Sequence, residues 1–299
     1  MLDRFRRLLG GLRRKSGDRA TTAPLSEKQI ESILQQQETA YEVQQLISAT
    51  GQSVGKQREH NEDSVLAITA TLAGLSTNVP FGVYIVADGM GGHQFGEVAS
   101  SATVRIIAGH VLRKFHSYLF VLPTQQPEDS LQEIMEEAIR EAHRAVQKDA
   151  PGSGTTVTAA LVLGQQMTIG HVGDSRAYSI HSSGRVEQLT QDHSLVRRLE
   201  ELGHLNKEEA ATFPHRNVLI RAVGQGETVE ADIFTIPFPH GSTLMLCTDG
   251  LWGVVPDENI SGALIGAPSL QRACSNLVIA ANAAGGPDNI SDVLVQMIG

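Results

Sequence analysis

Cysteine and long apolar runs are both scarce in this 299-residue sequence. Two cysteines, Cys247 and Cys274, are too few for a disulfide framework and are typical of a reducing compartment. No apolar run approaches the roughly 18 residues that suggest a membrane span. The start of the chain lacks the apolar centre of about 7–15 residues found in a secretory signal. These absences predict a soluble, cytoplasmic protein.

The chain also lacks an excess of positive charge, and only 4% of its residues are aromatic. Its formal net charge is −9 and the acidic residues are spread along the sequence, which argues against a general nucleic-acid binder. A hydrophobic content of 41% over 299 residues is enough for a sizeable core. It suits one large globular domain, or one domain with an appendage.

Residues 1–25 differ in composition from the rest and predict a basic N-terminal tail and linker. The first twenty contain seven Arg or Lys and two Asp, a local balance of +5. Apolar residues recur there at helical spacing, which suits a weak contact with an anionic membrane surface. The alternative is a disordered basic tail, and it is favoured because Gly10 and Gly11 interrupt the pattern and one short segment anchors poorly.

Residues 26–48 begin with a capping-box pattern and predict a helical extension.

Residues 49–299 form the predicted main domain, in which short apolar runs alternate with loops. Its strand candidates are 64–69, 81–87, 155–163, 167–172, 176–181, 242–248 and 291–298, and its helix candidates are 95–117, 128–148, 194–203, 256–265 and 268–283. The short links "GQQ" and "GDS" favour antiparallel hairpins. Because the helices arrive in blocks between groups of hairpins, the pattern predicts an α+β fold with antiparallel sheets covered by helices.

Acidic residues stand at the ends of several predicted strands, beside glycine, asparagine or a turn. They are Glu62-Asp63, Asp88, Asp174, Asp192, Asp249 and Asp288. If these carboxylates share one edge of the fold, their repulsion and desolvation are costly unless a cation is bound. Carboxylate-rich sites without His or Cys clusters select hard ions such as Mg²⁺ or Mn²⁺. A single Asp-Gly is more often a turn or a helix cap, so the prediction depends on the whole set.

Eight segments resemble, in order, the motifs of the metal-dependent protein phosphatase family (PPM, the type 2C serine/threonine phosphatases) in its bacterial form. They are "VGKQREHNEDS", "VADGMGGHQFGEVAS", "GSGTTVTAALV", "HVGDSRAY", "LTQDHSLV", "VLIRAVG", "LCTDGLWGVV" and "GGPDNISDVLV", and they cover about residues 50–299. The resemblance implies a four-layer α-β-β-α sandwich of two antiparallel sheets flanked by helices. It also implies a hydrolase acting on phosphoserine and phosphothreonine in proteins.

The resemblance implies a metal site of two Mn²⁺ or Mg²⁺ ions. Asp88 matches the bridging ligand between the ions, and the carbonyl of Gly89 binds one of them. Asp249 and Asp288 match the other carboxylate ligands. Asp174 matches the residue that, with Asp249, supports a third, weaker ion in bacterial members.

Further positions match residues that assist the metal site. Glu62 and Asp63 match acidic residues that hold metal-bound water, and Arg58 matches the arginine that binds substrate phosphate. A guanidinium suits that role because it presents two parallel donors to phosphate oxygens. The alternative for Arg58 is a surface arginine paired with Glu59 or Glu62. For Asp192 a structural role is favoured.

Met90 departs from many relatives, which have a histidine there that resembles a general acid. Methionine cannot donate a proton, and His93 and His193 are weaker candidates that are expected to be structural or solvent-facing.

The segment from Asp192 to Gly224 resembles the family's flap beside the active site. The alternative is a helix and loop that cover the sheet.

The predicted reaction is direct hydrolysis by a hydroxide that bridges two metal ions, without a phosphoenzyme. The expected partners are phosphoproteins and a cognate Ser/Thr kinase whose signalling the enzyme reverses, and the expected state is a monomer. A different hypothesis is a catalytically weak phosphatase-like module that binds phosphoproteins or regulates a kinase. Loss of a metal carboxylate or of Arg58 would indicate such a module, and none of these residues is missing.

Overall fold

The computed structural model describes residues 43–74, 77–91, 95–121, 128–206, 209–210, 213–214 and 217–299. The basic tail and residues 26–42 of the predicted helical extension lie outside these ranges. None of the helices in the described ranges is both long and apolar enough to cross a membrane.

The described chain contains eleven strands and six helices. The strands are β1 (Gln45–Ser53), β2 (Asp63–Gly74), β3 (Thr77–Met90), β4 (Gly154–Thr155), β5 (Val157–Leu163), β6 (Gln166–Val172), β7 (Arg176–His181), β8 (Val186–Gln188), β9 (Asp232–Pro237), β10 (Ser242–Cys247) and β11 (Ile290–Ile298). The helices are α1 (Phe95–Phe120), α2 (Leu131–Asp149), α3 (Leu195–Glu201), α4 (Asp249–Trp252), α5 (Asp257–Ile265) and α6 (Leu270–Ala283).

The strands form two antiparallel sheets. The first has the order β1-β11-β10-β7-β8, and the second has the order β2-β3-β5-β6-β9 with the short β4 paired to β3. Helices α1 and α2 cover the second sheet, and α4, α5 and α6 cover the first. The predicted four-layer α-β-β-α sandwich is therefore confirmed.

Alternation along β3 shows how the sequence specifies the layers. Val83, Ile85 and Ala87 pack toward α1 and α2, whereas Tyr84 and Val86 point into the core between the sheets. Successive side chains of a strand point to opposite faces, so a strand covered on both sides must be apolar at every position. The run "FGVYIVA" meets that requirement.

The link "GQQ" joins β5 and β6 as an antiparallel hairpin, as predicted. The same prediction for "GDS" is wrong, because β6 belongs to the second sheet and β7 to the first. Residues 173–175 instead carry the chain from one sheet to the other, through Gly173 at φ 106°. The sequence of a short polar link does not distinguish a hairpin within one sheet from a connection between two facing sheets.

The first strand lies where the sequence predicted the end of a helical extension. Residues 45–48 pair with β11, with Gln45 opposite Ile298 and Ser48 opposite Val295. Leu46 is buried between the sheets. Pairing with β11 and the burial of Leu46 outweigh the local helical preference of this glutamine-rich stretch. The compact unit that contains both sheets begins at Val43.

Candidate active site

Strand pairing brings two of the predicted acidic residues together. Asp63, at the start of β2, lies directly opposite Asp88, near the end of β3. Asp63 is buried, and its Oδ2 accepts a hydrogen bond of 2.8 Å from Thr248 Oγ1. Its Oδ1 has no hydrogen-bond partner within the described ranges. A buried carboxylate oxygen without a partner is costly, so this atom indicates a site for a ligand.

Asp249 joins these residues from the first sheet. It follows β10 as the first residue of α4, and its carboxyl lies within hydrogen-bonding reach of the Asp88 carboxyl. Its Oδ1 is also buried without a partner among the described residues. Two carboxyl groups in such contact must share a proton or bind a cation between them, because both cannot be ionised at this distance without compensation.

The glycines after these aspartates are required by backbone packing. A Cβ at Gly250 would lie 2.0 Å from the carbonyl oxygen of Asn289, and one at Gly89 would lie 2.2 Å from that of Gly96. Gly250 thus lets the segment that carries Asp249 approach the loop that carries Asp288. Both glycines are therefore explained by the close approach of one backbone segment to another.

The carboxyl groups of this cluster have raised pKa values. Burial is the largest cause in each case, and the charges of neighbouring carboxylates add to it. The pKa of Asp63 rises to about 7, that of Asp174 to about 8 and that of Asp249 to about 6, while that of Asp88 rises well above its usual range. Concentrated negative charge of this kind is what a bound divalent cation neutralises.

Arg58 and Asp288 form an ion pair at the rim of the cluster. Arg58 Nη2 lies 2.7 Å from Asp288 Oδ2, and half of the Arg58 side chain, 52%, is exposed. This hydrogen bond raises the pKa of the guanidinium. The partner of Arg58 is therefore a predicted metal ligand, and not Glu59 or Glu62 as in the surface-pair alternative. Its exposure leaves the guanidinium accessible to an anion.

Glu62 occupies a position between Arg58 and α1. Its carboxylate lies beside Gly96, where a Cβ would be 2.9 Å from Glu62 Oε2. Burial raises its pKa, and the charge of Arg58 opposes that rise. The two predicted assisting carboxylates, Glu62 and Asp63, are thus neighbours at the start of β2, beside the end of β3.

Asn289 was not singled out from the sequence, although it lies within the motif "GGPDNIS". Its Oδ1 accepts a hydrogen bond of 2.8 Å from the backbone N–H of Glu62. Its Nδ2 donates to the carbonyl oxygens of Val54 and His60, both at 2.9 Å. One buried amide thereby fixes the loop that carries Arg58 against the turn that carries Asp288.

Asp174 lies on the crossover between the sheets and is buried. Its charge acts on Asp88, and that of Asp249 acts on it in turn, so it belongs to the same cluster. The charge of Asp192 also acts on Asp174, but its carboxylate has a partner of its own. It forms a two-point ion pair with Arg176, at 2.8 and 2.7 Å, in agreement with the structural role predicted for it.

His193 is held by the protein on both sides of its ring. Nδ1 accepts from the backbone N–H of Gly173 at 3.2 Å, and Nε2 lies 3.2 Å from Asp232 Oδ2. Its side chain is only 7% exposed. This geometry assigns His193 to holding the crossover and not to proton donation. His93, the other candidate, lies outside the described residues.

A groove of about 1030 Å³ opens over the cluster. Arg58, Asp249 and Asp288 line one part of it, and Val196, Arg197 and Asn217 from the predicted flap line another. No residue of α3, which belongs to that segment, is buried. The groove leads directly to the acidic cluster, since Asp174, Asp249 and Asp288 all line it.

The chemistry of the donor set fits hard cations, since the converging groups are carboxylates with two unsatisfied oxygens. In the described part of the chain, no three His, Cys, Asp or Glu side chains already converge as a metal-ligand set. Instead the Asp88 and Asp249 carboxyls contact one another, and Asp288 is paired with Arg58. These pairwise contacts offset part of the charge that a cation would neutralise.

Comparisons with known proteins agree with this geometry. Residues 28–285 match the family model of protein phosphatase 2C. The serine/threonine phosphatase stp of Listeria monocytogenes serotype 4b (strain F2365) is 36% identical over 244 residues, which are 81% of this chain and 92% of the relative. This chain therefore belongs to the protein phosphatase 2C family of metal-dependent serine/threonine phosphatases.

Two solved structures show the same fold. The S. agalactiae serine/threonine phosphatase matches with a TM-score of 0.70 and 29% identity, over 84% of this chain and 99% of the other. The catalytic domain of the phosphatase PstP, whose structure is a complex with two manganese ions, matches with a TM-score of 0.68 and 31% identity. That match covers 86% of this chain and 100% of the PstP domain.

Proposed function

We propose that this phosphatase hydrolyses phosphoserine and phosphothreonine in proteins in one step, without a phosphoenzyme. The observation that carries the proposal is a cluster of buried carboxyl groups whose charges act on one another beside an open groove, two of them with an unsatisfied oxygen. Divalent cations held by these carboxylates would supply a hydroxide for the attack at neutral pH and would offset charge on the phosphoryl group. No side chain on this chain is needed as a covalent nucleophile.

The carboxylates divide into ligands and supporting groups. Asp88 would bind both ions, and the Gly89 carbonyl, Asp249 and Asp288 would complete the ligand set. Strand β3 and the N-terminus of α4 fix Asp88 and Asp249 rigidly, which is what a ligand shared between two close ions requires. The two-manganese structure of the related PstP domain supports this arrangement.

Glu62 and Asp63 act as acceptors for ordered water beside the ions. Thr248 orients Asp63 by donating to its Oδ2, and Oδ1 stays without a hydrogen-bond partner among the described residues. A carboxylate placed in this way orients water without occupying a ligand position itself. Asp174, with Asp249, would hold a third and weaker ion.

Arg58 binds the substrate phosphate. Its guanidinium is half exposed at the mouth of the cluster, and its present partner, Asp288, is an anion that a phosphate group can replace. Two parallel N–H donors match two phosphoryl oxygens and keep the phosphorus in line for attack from the side of the ions.

The biological setting follows from the substrate class. A phosphatase specific for phosphoserine and phosphothreonine reverses the action of a Ser/Thr kinase, and we propose this role in bacterial signal transduction. Manganese is favoured as the metal by the PstP structure, with magnesium as the alternative. The cytoplasmic location, the monomeric state and a membrane contact of the basic tail stay predictions from the sequence.

Release of inorganic phosphate from a phosphothreonine peptide tests the proposal. We expect release with Mn²⁺, its loss in EDTA, and its loss in Asp249→Asn, while the exposed Asp257→Asn serves as the matched control with wild-type activity. Folded wild-type protein that releases no phosphate with Mn²⁺ or Mg²⁺ would favour a phosphoprotein-binding module instead. Binding of the same peptide, with Arg58→Ala for comparison, would then be measured.

A further inference from the structure

Every residue of the crossover at 173–175 is held by hydrogen bonds. The backbone of Gly173 is bonded to His193, which donates its own N–H to the Gly173 carbonyl at 2.7 Å. Ser175 Oγ lies 2.7 Å from Thr156 Oγ1. The carbonyl of Asp174 accepts from Trp252 Nε1 at 3.0 Å. The Asp174 side chain is therefore presented to the cluster by a backbone that is fixed on all sides.

Trp252 has a particular place among these contacts because it belongs to the element that carries Asp249. It is the last residue of α4, one turn after Asp249. Its indole N–H thus connects the helix of one acidic residue to the backbone of the other. The bond joins Asp174 and Asp249, which approach the cluster from different parts of the chain.

The indole ring is itself held in place from the groove side. The guanidinium of Arg176 lies 3.4 Å from the ring centroid. Arg176 is fixed in turn by its two-point ion pair with Asp192 and by a bond of 3.0 Å to Tyr178 Oη. A guanidinium stacked on an indole and largely removed from water attracts the face of the ring, so the ring has one preferred orientation.

Packing alone does not explain this arrangement. Trp252 is partly buried and contacts the core under α5 and α6, a contact that any large apolar side chain could make. Packing requires neither a donor directed at the Asp174 carbonyl nor a guanidinium over the ring. Both features act on the orientation of the indole, and the orientation determines where its N–H holds Asp174.

We propose that Trp252 is a positioning residue that sets the separation of Asp174 and Asp249, and so the affinity of this pair for the weaker cation. The inference rests on the proposed function, because it takes Asp174 and Asp249 as the carboxylates of that ion. Loss of a group that orients a metal ligand lowers metal affinity by roughly 10–100-fold.

The test counts bound ions in the whole protein, independently of turnover. Mn²⁺ is titrated into the wild type, Trp252→Phe, Trp252→Leu and the exposed control Phe120→Leu, and free Mn²⁺ is measured by electron paramagnetic resonance. Trp252→Phe keeps a ring for Arg176 and loses the N–H. We expect it to weaken only the weaker binding phase, roughly 10-fold or more, and Trp252→Leu to weaken that phase at least as much.

A spectroscopic readout complements the ion count. The chain contains one tryptophan, so wild-type emission reports on this position alone. Mg²⁺, which does not quench fluorescence, is expected to change the emission over the concentration range of the weaker phase, and Asp174→Asn is expected to remove that change. Circular dichroism establishes that each variant is folded.

The outcomes separate this inference from the proposed function. A folded Trp252→Phe whose weaker phase equals that of the wild type overturns the role of the N–H. A wild type without a weaker phase, or a phase that Asp174→Asn leaves intact, also overturns the inference while the hydrolysis with two ions stands. A wild type that binds no Mn²⁺ at all contradicts both.

Discussion

Replacement of Asp292 by asparagine is predicted to stabilise the protein, and increasingly so as the pH rises. Asp292 lies in β11, fully buried, opposite Gly51 of β1. A Cβ at Gly51 would be 2.5 Å from Asp292 Oδ1, so the glycine makes room for the carboxyl. Neither carboxyl oxygen has a nitrogen or oxygen partner in the described ranges, and the nearest donor is the thiol of Cys274.

The size of the stabilisation expected for Asp292→Asn follows from the pKa of this carboxyl. Burial raises the pKa of Asp292 from 3.8 to about 7, with the Cys274 thiol opposing the rise. Because the folded pKa is higher than the unfolded one, ionisation favours the unfolded chain. The free-energy cost of ionising Asp292 in the folded protein is absent below the pKa of the unfolded chain and complete above about pH 7. A difference of about three pH units corresponds to about 4 kcal/mol.

The assay is urea unfolding of metal-free wild type and Asp292→Asn between pH 4 and pH 8.5, followed by circular dichroism. Other titrating groups are common to both proteins and cancel in the difference between their unfolding free energies. We expect that difference to change in favour of the variant by about 4 kcal/mol across the range. The exposed Asp257→Asn is the control and should show no such slope. A difference that is flat with pH would refute the reasoning, since Asp292 would then be ionised and satisfied in the folded protein.

Three further predictions concern the groups around the site. Arg58→Ala is expected to lower kcat/KM for a phosphothreonine peptide roughly 10–100-fold with little change in melting temperature, because charge-assisted bonds to phosphate are lost; unchanged kinetics would exclude Arg58 from phosphate binding. Asn289→Ala removes three hydrogen bonds and should lower the free energy of urea unfolding by about 2–4 kcal/mol and raise KM. A stable variant with normal KM would show that the loop carrying Arg58 keeps its conformation without Asn289. Burial lowers the pKa of His171 to about 4, so its side chain is neutral in the folded protein. The part of the unfolding free energy that depends on the neutral ring is complete above pH 6.5 and is lost as the pH falls toward 4. His171→Gln should remove about 3 kcal/mol of that acid sensitivity, and equal acid sensitivity in both proteins would contradict the assignment.

The sequence predicted those parts of the fold whose signal is local. Strand β3 and helices α1 and α2 follow from apolar runs and helical periodicity, and the position of Asp88 at the end of a strand follows from the run that precedes it. Strand β1 could not be found in this way, because its polar residues favour a helix locally and its conformation depends on β11, more than 200 residues later.

The residues of the candidate site that lie within the sequence motifs could be predicted. The set of Arg58, Asp88, Asp249 and Asp288 could be named from the sequence. In the structure Arg58, Asp249 and Asp288 line one groove, and the Asp88 carboxyl contacts that of Asp249. The bonds that hold them could not be named. Asn289 and Trp252 act through backbone carbonyls that are distant in the sequence, and no spacing rule connects a side chain with such a partner.

A crystal structure of the protein grown with Mn²⁺ tests the central claim most directly, through an anomalous difference map recorded at the manganese edge. The account predicts two strong peaks within coordination distance of the Asp88 carboxylate, one shared with Asp249 and one with Asp288, and their absence in Asp249→Asn crystals grown in the same way. Active crystals with no manganese on these carboxylates would contradict it.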